Sequence, residues 1–327
     1  MTDTRLYPSV RERVLDAVER LIDASALREL ASQLLSRPGM CLSPSWHRRW
    51  SALVILPCLA LDGDGQAATF GAAAVEIAAT AGDVADDLAD GDWASGDRDW
   101  PRALNATTAL LSLACRCLAN LGEPLGWARA EQATSMLAEG TIAACGGQDL
   151  DLQFEWQGDV SEEQAYEATR RKAGSLAACA CGIGALCATE DAETISLVAR
   201  FGSKVGIIAQ LLNDITGLAD GSDLGKRKQT VPIAYALRCA REEGLADLLS
   251  WYASDRPRQE QADVARRMEA LGALHYGWVL AEAHRREALA CLRRLARHSG
   301  RGQVSSLRRL LPDLKPVRPG DGRRGPG

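Results

Sequence analysis

Apolar residues recur at three- and four-residue steps along most of the chain, and this spacing places side chains on one face of an α-helix. The pattern is clear in SVRERVLDAVERLIDASALRELASQLL, residues 9–35. It predicts helices over residues 9–35, 48–61, 66–90, 102–121, 124–145, 161–188, 191–217, 229–252 and 257–298. No segment of useful length alternates apolar and polar residues, so the sequence predicts no β-sheet.

Polar segments containing glycine or proline separate the predicted helices and read as loops. The main ones are residues 36–46, 91–101 and 146–160, the last being GGQDLDLQFEWQGDV. No Pro/Gly-rich linker divides the middle of the chain, and 327 residues can bury one large core. We therefore predict an all-α, single-domain bundle of about ten helices over residues 1–300. Residues 301–327 end in KPVRPGDGRRGPG, which is typical of a disordered tail.

Composition supports this fold and limits the partners. Hydrophobic residues make up 46% of the chain and aromatic residues 5%, which favours helix over sheet. The net charge is −5 without a basic stripe interleaved with aromatics, so nucleic acid is not an expected partner. The N-terminus lacks a signal-type apolar core and no run of 18 apolar residues follows, which predicts a cytoplasmic protein without a membrane span. The ten cysteines form no CxxC pair and are expected to be small buried hydrophobes.

The segment DVADDLAD, residues 83–90, places Asp83, Asp86, Asp87 and Asp90 within an arc of roughly 100° on a helix. Like charges at this spacing repel one another, and an unperturbed aspartate stays ionised at pH 7. Mg²⁺ is a suitable counterion because it takes oxygen ligands and is shared with substrate phosphates. A solvated acidic helix end is the alternative. The upstream run FGAAAVEIAATAG is apolar on nearly all sides and favours a buried helix, whose acidic residues need partners.

A second polar cluster lies about 125 residues later, in QLLNDITGLADGSDLGKRKQT. Its charged and amide side chains are Asn213, Asp214, Asp220, Asp223, Lys226, Arg227 and Lys228. Oxygen ligands suit Mg²⁺, and the cations that follow suit exposed phosphate oxygens. Oxygen ligands followed by cations are what a metal–diphosphate complex needs. The alternative interpretation is a charged loop between helices.

Several ordered motifs between residues 47 and 240 resemble the trans-polyprenyl diphosphate synthase family of class I isoprenoid synthases. They are DDxxD at 86–90, GQDLDL at 147–152, SEEQAYEATRRKAGSL at 161–176, GIIAQLLNDITG at 206–217 and DLGKRKQTVP at 223–232. A single DDxxD match is weak, but the ordered set is specific. The resemblance implies a helical bundle around a central active-site cavity, and it implies a homodimer.

The resemblance also implies roles for individual residues. The implied metal ligands are Asp86, Asp90, Asn213 and Asp214, with Asp87 assisting; the implied catalytic residues are Asp86, Asp87, Asp90 and Asp214. Asn213 stands where the second motif usually has its first aspartate, and its amide oxygen can still coordinate a metal. Lys172, Lys228 and Gln210 are implied to bind the diphosphate of an allylic substrate, and three Mg²⁺ ions are expected. Metals and lysines together would stabilise departing diphosphate and leave an allylic carbocation.

The motifs that bind a second substrate, isopentenyl diphosphate, are altered. The Gly-Gly-Lys-Arg segment reads SWHRRWS at 45–51, where Arg48 and Arg49 keep part of the charge. The expected histidine is Ala79, and the expected arginine pair is replaced by serine and glycine at 95–96. Each charge-assisted bond to phosphate contributes roughly 1.5–3 kcal/mol, so losing three or four would weaken binding by several powers of ten.

The sequence therefore predicts an enzyme that ionises an allylic prenyl diphosphate and transfers the cation to another acceptor, with a peptide or an aromatic compound as candidates. A C15 or longer chain is expected because Ala81 and Gly82 are small where the family often places bulky residues. The main alternative is a terpene synthase that cyclises or hydrates the cation. Gly217 and Gly221 occupy positions where its second motif requires Ser/Thr and Glu, and the few aromatics give a cyclase little to guide cations. A chain-elongating synthase and an inactive subunit are further alternatives.

Overall fold

The helices form one bundle, and the main apolar core contains residues from Leu6 near the start of the chain to Leu307 near its end. The computed structural model describes residues 5–93, 99–155, 157, 159–253, 260–300 and 302–314. The helices are α1 Tyr7–Leu21, α2 Ser25–Leu35, α3 Arg49–Ala60, α4 Gly65–Ala89, α5 Trp100–Ala119, α6 Gly122–Leu125, α7 Trp127–Phe154, α8 Glu162–Thr169, α9 Ser175–Leu186, α10 Ala192–Asp220, α11 Ser222–Gly225, α12 Val231–Glu242, α13 Ala246–Ala253, α14 Gln261–Ala270 and α15 Ala273–Ser299. A π-helical segment, Arg170–Gly174, joins α8 to α9, and Gly302–Leu310 is a 3₁₀-helix. The predicted all-α class is confirmed.

Small side chains allow the central helices to pack closely. The run Ala72–Ala74 of α4 has no exposed surface, and α9 is buried from Cys179 to Leu186. α10 packs against α9 and α15, and α4 packs against α3 and α5. Alanine favours helix and adds little bulk, so long helices can pass one another at short distances. This packing brings the C-terminal halves of α4, α7 and α10 to the same end of the bundle.

Several predicted helices are interrupted in the structure. The predicted helix 9–35 breaks at residues 22–24, where Ile22 and Ala24 adopt extended backbone angles. The predicted helices 229–252 and 257–298 each break at a glycine with positive φ, Gly244 at +71° and Gly272 at +89°. A glycine adopts this conformation without steric cost, and it therefore ends one helix and redirects the next.

Two other predictions differ from the structure. The predicted loop at 146–160 is wrong for its first nine residues, because α7 continues to Phe154. The predicted tail boundary at residue 301 is too early, since Val304 and Leu307 of the 3₁₀-helix are buried in the main core. Residues 315–327 lie outside the described residues.

One helix of the described chain, α10, has the length and apolar composition to cross a membrane. About half of its most apolar window, 56%, is buried inside the protein. Core helices commonly pass this test, so the helix is weak evidence for a membrane span.

Candidate active site

The predicted site residues come together in one cavity of about 170 Å³ at the end of the bundle. It lies between the C-terminal parts of α4, α7 and α10, the π-helical segment, and the chain around α11. The lining residues are Asp86, Asp90, Asp151, Ala165, Thr169, Lys172, Gln210, Asn213, Asp214, Asp223, Lys226, Lys228 and Thr230. Nearly all are polar, and they include five aspartates and three lysines.

Asp86 and Asp90 project from α4 into the cavity, one helical turn apart, as their spacing predicted. Asp86 Oδ2 lies 3.0 Å from Lys172 Nζ, and Asp90 Oδ1 lies 2.8 Å from Lys228 Nζ. Asp87 behaves differently: it pairs with Arg37 from the segment after α2 and is not among the lining residues. The sequence did not indicate Arg37. In this arrangement Asp86 and Asp90 face the cavity, while Asp87 ties the end of α4 to the α2–α3 connection.

Lys172 reaches the cavity from the π-helical segment, whose backbone hydrogen bonds join residues five apart instead of the four of an α-helix. α7 packs tightly against this segment at Gly147, since a Cβ there would collide with the backbone nitrogen of Lys172 and lie 2.9 Å from the carbonyl oxygen of Ala168. Burial lowers the pKa of Lys172, but the carboxylates of Asp151 and Asp86 raise it more, so the net pKa is raised. The ammonium group is therefore held charged.

Lys228 is almost fully buried, and its side chain is only 9% exposed. Its ammonium group also lies 3.5 Å from Glu155 Oε1. Burial lowers its pKa, while the hydrogen bond and charge of Asp90 raise it above the usual range. Lys226, two residues earlier, lines the cavity and pairs with Asp92. Both predicted diphosphate-binding lysines thus lie on the cavity, together with a third lysine that the sequence indicated only as part of a cluster.

α7 contributes acidic residues to which the sequence gave no role. Asp151 Oδ2 lies 3.4 Å from Lys172 Nζ, and burial raises the pKa of its carboxyl group. Burial likewise raises the pKa of Glu155. Gln148, on the same helix, donates a hydrogen bond of 3.2 Å to Asp90. The GQDLDL motif drew attention to this segment, but the sequence predicted it to be a loop. As a loop, it gave no indication that Gln148, Asp151 and Glu155 lie on one helical face.

The second acidic motif lies on α10, facing α4 across the cavity. Asp214 is 3% exposed, and Gln210 donates a 2.8 Å hydrogen bond to its Oδ1. Its Oδ2 is buried and has no hydrogen-bond partner. Burial and then the nearby charge of Asp223 raise the pKa of Asp214 well above its usual range. Asn213 lines the same wall. A carboxylate held in this way lacks a positive partner, and a divalent cation would supply one.

The residues present fit Mg²⁺ that is shared with a diphosphate. Among the residues that the structure describes, no three histidine, cysteine or carboxylate side chains lie close enough to hold a metal by themselves. Mg²⁺ commonly takes only one or two carboxylates and completes its coordination with water and substrate phosphates. The opposed carboxylates of α4 and α10, with the orphaned oxygen of Asp214, match that requirement.

The residues predicted to retain part of the acceptor-diphosphate charge lie elsewhere. Arg48 and Arg49 are exposed and do not line the cavity. The Arg48 guanidinium lies over the rings of Tyr7 and Trp46, at 5.1 and 5.9 Å from their centroids. Ala79 is half-buried on α4, and residues 95 and 96 lie outside the described residues. The structure thus separates the two arginines from the lysine–aspartate cavity.

The helical bundle and its two facing acidic motifs define the class I isoprenoid synthase fold. The crystal structure of a polyprenyl synthetase from Streptomyces coelicolor superimposes with a TM-score of 0.74, at 24% identity over 95% of this chain and 100% of that one. A geranylgeranyl pyrophosphate synthetase from Pyrococcus horikoshii gives a TM-score of 0.79, at 23% identity over 94% of this chain and 96% of that one.

The chain belongs to the polyprenyl synthetase family, whose sequence profile matches residues 47–271. Members of this family are generally Mg²⁺-dependent. A geranylgeranyl diphosphate synthase of Mycobacterium tuberculosis is 31% identical over 218 residues, which is 62% of this chain but only 61% of that protein's length. A short chain isoprenyl diphosphate synthase of Methanothermobacter thermautotrophicus is 26% identical over 85% of this chain and 86% of its own.

Proposed function

We propose that this protein is a Mg²⁺-dependent prenyltransferase that ionises an allylic prenyl diphosphate. The observation that carries the proposal is a cavity that contains Asp86 and Asp90 of α4, Asp214 of α10, and Lys172 and Lys228, which pair with the two α4 acids. Acids on two walls and lysines between them are suited to a diphosphate and its counterions.

The reaction follows from how charge develops at the diphosphate. Breaking the allylic C–O bond leaves both electrons on the departing oxygen, so negative charge grows on the diphosphate. Lys172 and Lys228 are placed to exchange their bonds to Asp86 and Asp90 for bonds to phosphate oxygens. Mg²⁺, with three ions proposed, would neutralise the remaining charge when bound between the Asp86/Asp90 pair and the Asn213/Asp214 pair. Preorganised charges of this kind stabilise the transition state more than the bound substrate.

We further propose that the cation is transferred to an acceptor other than isopentenyl diphosphate, with a peptide or an aromatic compound as the candidates. The support is the altered acceptor motif: Arg48 and Arg49 are exposed outside the cavity, and Ala79 has no donor group. Chain elongation is the second candidate, and the names of the relatives, which make geranylgeranyl or shorter isoprenyl diphosphates, favour it. Cyclisation or hydration of the cation is a further outcome for the experiment to separate.

The proposed substrate is a C15 or longer prenyl diphosphate. Ala81 is buried on α4, and Gly82 has open space where a side chain would lie. Neither residue can block a long prenyl tail that extends past the aspartates. If the protein accepts the C10 diphosphate but not the C15 or C20 diphosphate, this part of the proposal is wrong.

The test is incubation of the purified protein with Mg²⁺ and geranyl, farnesyl or geranylgeranyl diphosphate, followed by diphosphate assay and mass spectrometry. Elongated prenyl products after addition of isopentenyl diphosphate would indicate chain elongation and contradict transfer to the acceptor that we propose. Hydrocarbon or alcohol products without an acceptor would select a terpene synthase. Diphosphate release that requires a tryptophan-containing peptide or an aromatic acceptor is the expected result. No diphosphate release under any of these conditions would indicate an inactive subunit.

Two aspartates on α4 provide a matched pair of variants. Asp86→Ala should abolish diphosphate release, because it removes a carboxylate that faces the cavity. Asp83→Ala should have a mild effect, since Asp83 is exposed and does not line the cavity. Equal loss in both variants would contradict the assignment of the motif.

A further inference from the structure

The last 40 residues differ in charge from the rest of the chain. Residues 288–327 contain ten lysines and arginines and two aspartates, whereas residues 1–287 contain 28 lysines and arginines and 41 acids. Charge asymmetry of this size is typical of proteins that contact an anionic surface, such as a membrane or a nucleic acid. The structure describes the part of this region that forms the C-terminal end of α15 and the 3₁₀-helix.

One face of α15 is exposed along most of the helix. Its residues lie within an arc of roughly 80° and are arginines or small and apolar residues. They are Val279, Ala283, Arg286, Ala290, Arg293 and Arg297. Arg286 pairs with Glu282 at 3.2 Å, but α15 contains no acid after residue 287. The face therefore ends in two arginines one helical turn apart.

Arg293, Arg297 and Arg308 are exposed, and among the described residues no carboxylate lies within 4 Å of any of them. Arg294 instead pairs with Glu193 at 2.8 Å. The helix dipole favours a cation near the end of α15, but it does not account for Arg308, which follows in the 3₁₀-helix. Exposed guanidinium groups without a carboxylate partner are available to phosphate groups.

The three arginines lie at the end of the bundle opposite to the cavity. α15 runs antiparallel to α10: a Cβ added to Gly277 would lie 2.8 Å from Ile215, next to the cavity, whereas Arg294 pairs with Glu193 near the start of α10. About 30 Å of helix separates Gly277 from Arg297. The arginines are therefore remote from the aspartates and lysines of the cavity.

The start of α4 lies at the same end as the arginines. Gln303 of the 3₁₀-helix donates a 3.3 Å hydrogen bond to Asp62, which precedes α4. Under the proposed function the diphosphate lies at Asp86 and Asp90, and the prenyl tail extends past Ala81 toward the start of α4. The tail therefore points to the end of the bundle that carries the arginines.

We propose that the surface formed by Arg293, Arg297 and Arg308 docks on an anionic lipid bilayer by contacting the phosphates of its headgroups. Each basic residue near such a surface strengthens binding roughly fivefold. A nucleic acid is a poorer match, because residues 288–314 contain no Phe, Trp or Tyr to stack on bases. The direction of the prenyl tail toward the bilayer rests on the proposed function, whereas the docking itself does not.

The experiment is co-sedimentation of the full chain with lipid vesicles. The protein should bind phosphatidylcholine vesicles that contain about 30% phosphatidylglycerol and should not bind phosphatidylcholine alone. Binding should be lost in about 0.5 M NaCl, because salt screens exposed charges. The triple variant Arg293→Gln, Arg297→Gln, Arg308→Gln should bind the anionic vesicles roughly 100-fold more weakly. Equal binding to neutral and anionic vesicles would overturn the proposal.

A second triple variant is the matched control. Arg20→Gln, Arg102→Gln, Arg266→Gln removes the same charge from exposed arginines of α1, α5 and α14. Each pairs with an acid three or four residues away, and such exposed pairs contribute little to stability. The control should bind anionic vesicles like the unaltered protein. Equal loss in both variants would show an effect of total charge and overturn the assignment of the surface.

Two further measurements complete the test. Thermal unfolding by circular dichroism checks that both triple variants are folded. Tighter binding of the unaltered protein to single-stranded RNA than to anionic vesicles would overturn the bilayer in favour of a nucleic acid.

The outcomes also separate this inference from the proposed function. Without vesicles, the Arg293/Arg297/Arg308 variant should release diphosphate at the rate of the unaltered protein, because the arginines are remote from the cavity. If the unaltered protein binds anionic vesicles but releases no diphosphate, the proposed function is wrong and the docking stands. If it releases diphosphate but does not bind anionic vesicles, only the docking is overturned.

Discussion

At the scale of single residues, Lys172 and Lys228 of the cavity are each held by two acids. Lys172 pairs with Asp86 and Asp151, and Lys228 pairs with Asp90 and Glu155. These pairs offset repulsion among acids that would otherwise have no cation. Under the function that we propose, metal ions would bind the acids and leave the same lysines available for phosphate.

We expect Lys172→Gln to lower kcat/KM for the prenyl diphosphate roughly 10- to 100-fold, because it removes one charge-assisted bond to phosphate. Steady-state diphosphate release measures the effect. Arg171→Gln is the control, since Arg171 is exposed and pairs with Glu167 at 2.7 Å. Loss of the same size in both variants would indicate a structural effect on the π-helical segment and would contradict the role of Lys172.

The carboxyl group of Asp223 should make stability depend on pH. Burial raises its pKa from 3.8 to about 6. Because the folded state disfavours the ionised form, the metal-free protein should lose stability as pH rises from about 4 to about 6. Asp223→Asn cannot ionise, so it should be about 1–3 kcal/mol more stable than the unaltered protein at pH 7 and nearly equal at pH 4. Urea unfolding of both proteins at pH 4 and pH 7, with a chelator present, measures the two free energies of unfolding. If the variant and the unaltered protein differ by the same amount at both pH values, the prediction is wrong.

At the scale of elements, the π-helical segment and α7 together position Lys172. The sequence Gly146-Gly147 reads as a loop because glycine weakens a helix. In the structure Gly147 is instead the point where α7 meets the backbone of the segment that carries Lys172. The loop prediction failed because the reason for glycine lies on another helix, which local pattern cannot reveal.

The adjacent glycines give a matched pair of variants. Gly147→Ala should destabilise the protein by about 1–3 kcal/mol and raise KM for the diphosphate, because its Cβ collides with backbone atoms around Lys172. Gly146→Ala should stabilise by about 0.5–1 kcal/mol, since its Cβ would meet only Arg171 Nη1, at 3.7 Å. Thermal unfolding and substrate kinetics measure both effects. If the two variants behave alike, the close approach at Gly147 has no functional consequence.

At the scale of the whole molecule, the bundle extends past the predicted end of the domain. The 3₁₀-helix Gly302–Leu310 packs on α3 and α15, and it buries Val304 and Leu307. Truncation after residue 300 should therefore lower the free energy of unfolding by about 3–6 kcal/mol, from the loss of two buried apolar side chains. Truncation after residue 314 keeps every described contact and is the control. Denaturant unfolding measures both, and equal stability of the two truncated proteins would contradict the packing.

Much of the fold and part of the site followed from the sequence. Helical periodicity and alanine content predicted the all-α class, and the spacing of Asp86 and Asp90 placed both on one face of α4. The motifs also identified Lys172, Lys228, Gln210, Asn213 and Asp214, all of which line the cavity. The all-α class could be predicted because helix formation and side-chain spacing depend on residues near one another along the chain.

Only the tertiary structure showed which side chains meet across helices. It paired Asp87 with Arg37, brought Asp151 to Lys172, and separated Arg48 and Arg49 from the cavity. It also placed the carboxylate of Asp223 where residue 217 has no side chain. Such contacts depend on how helices pack and on the close approaches that glycine permits. The sequence thus determined the helices and the motifs on them, whereas packing decided which acids of the cavity pair with a lysine.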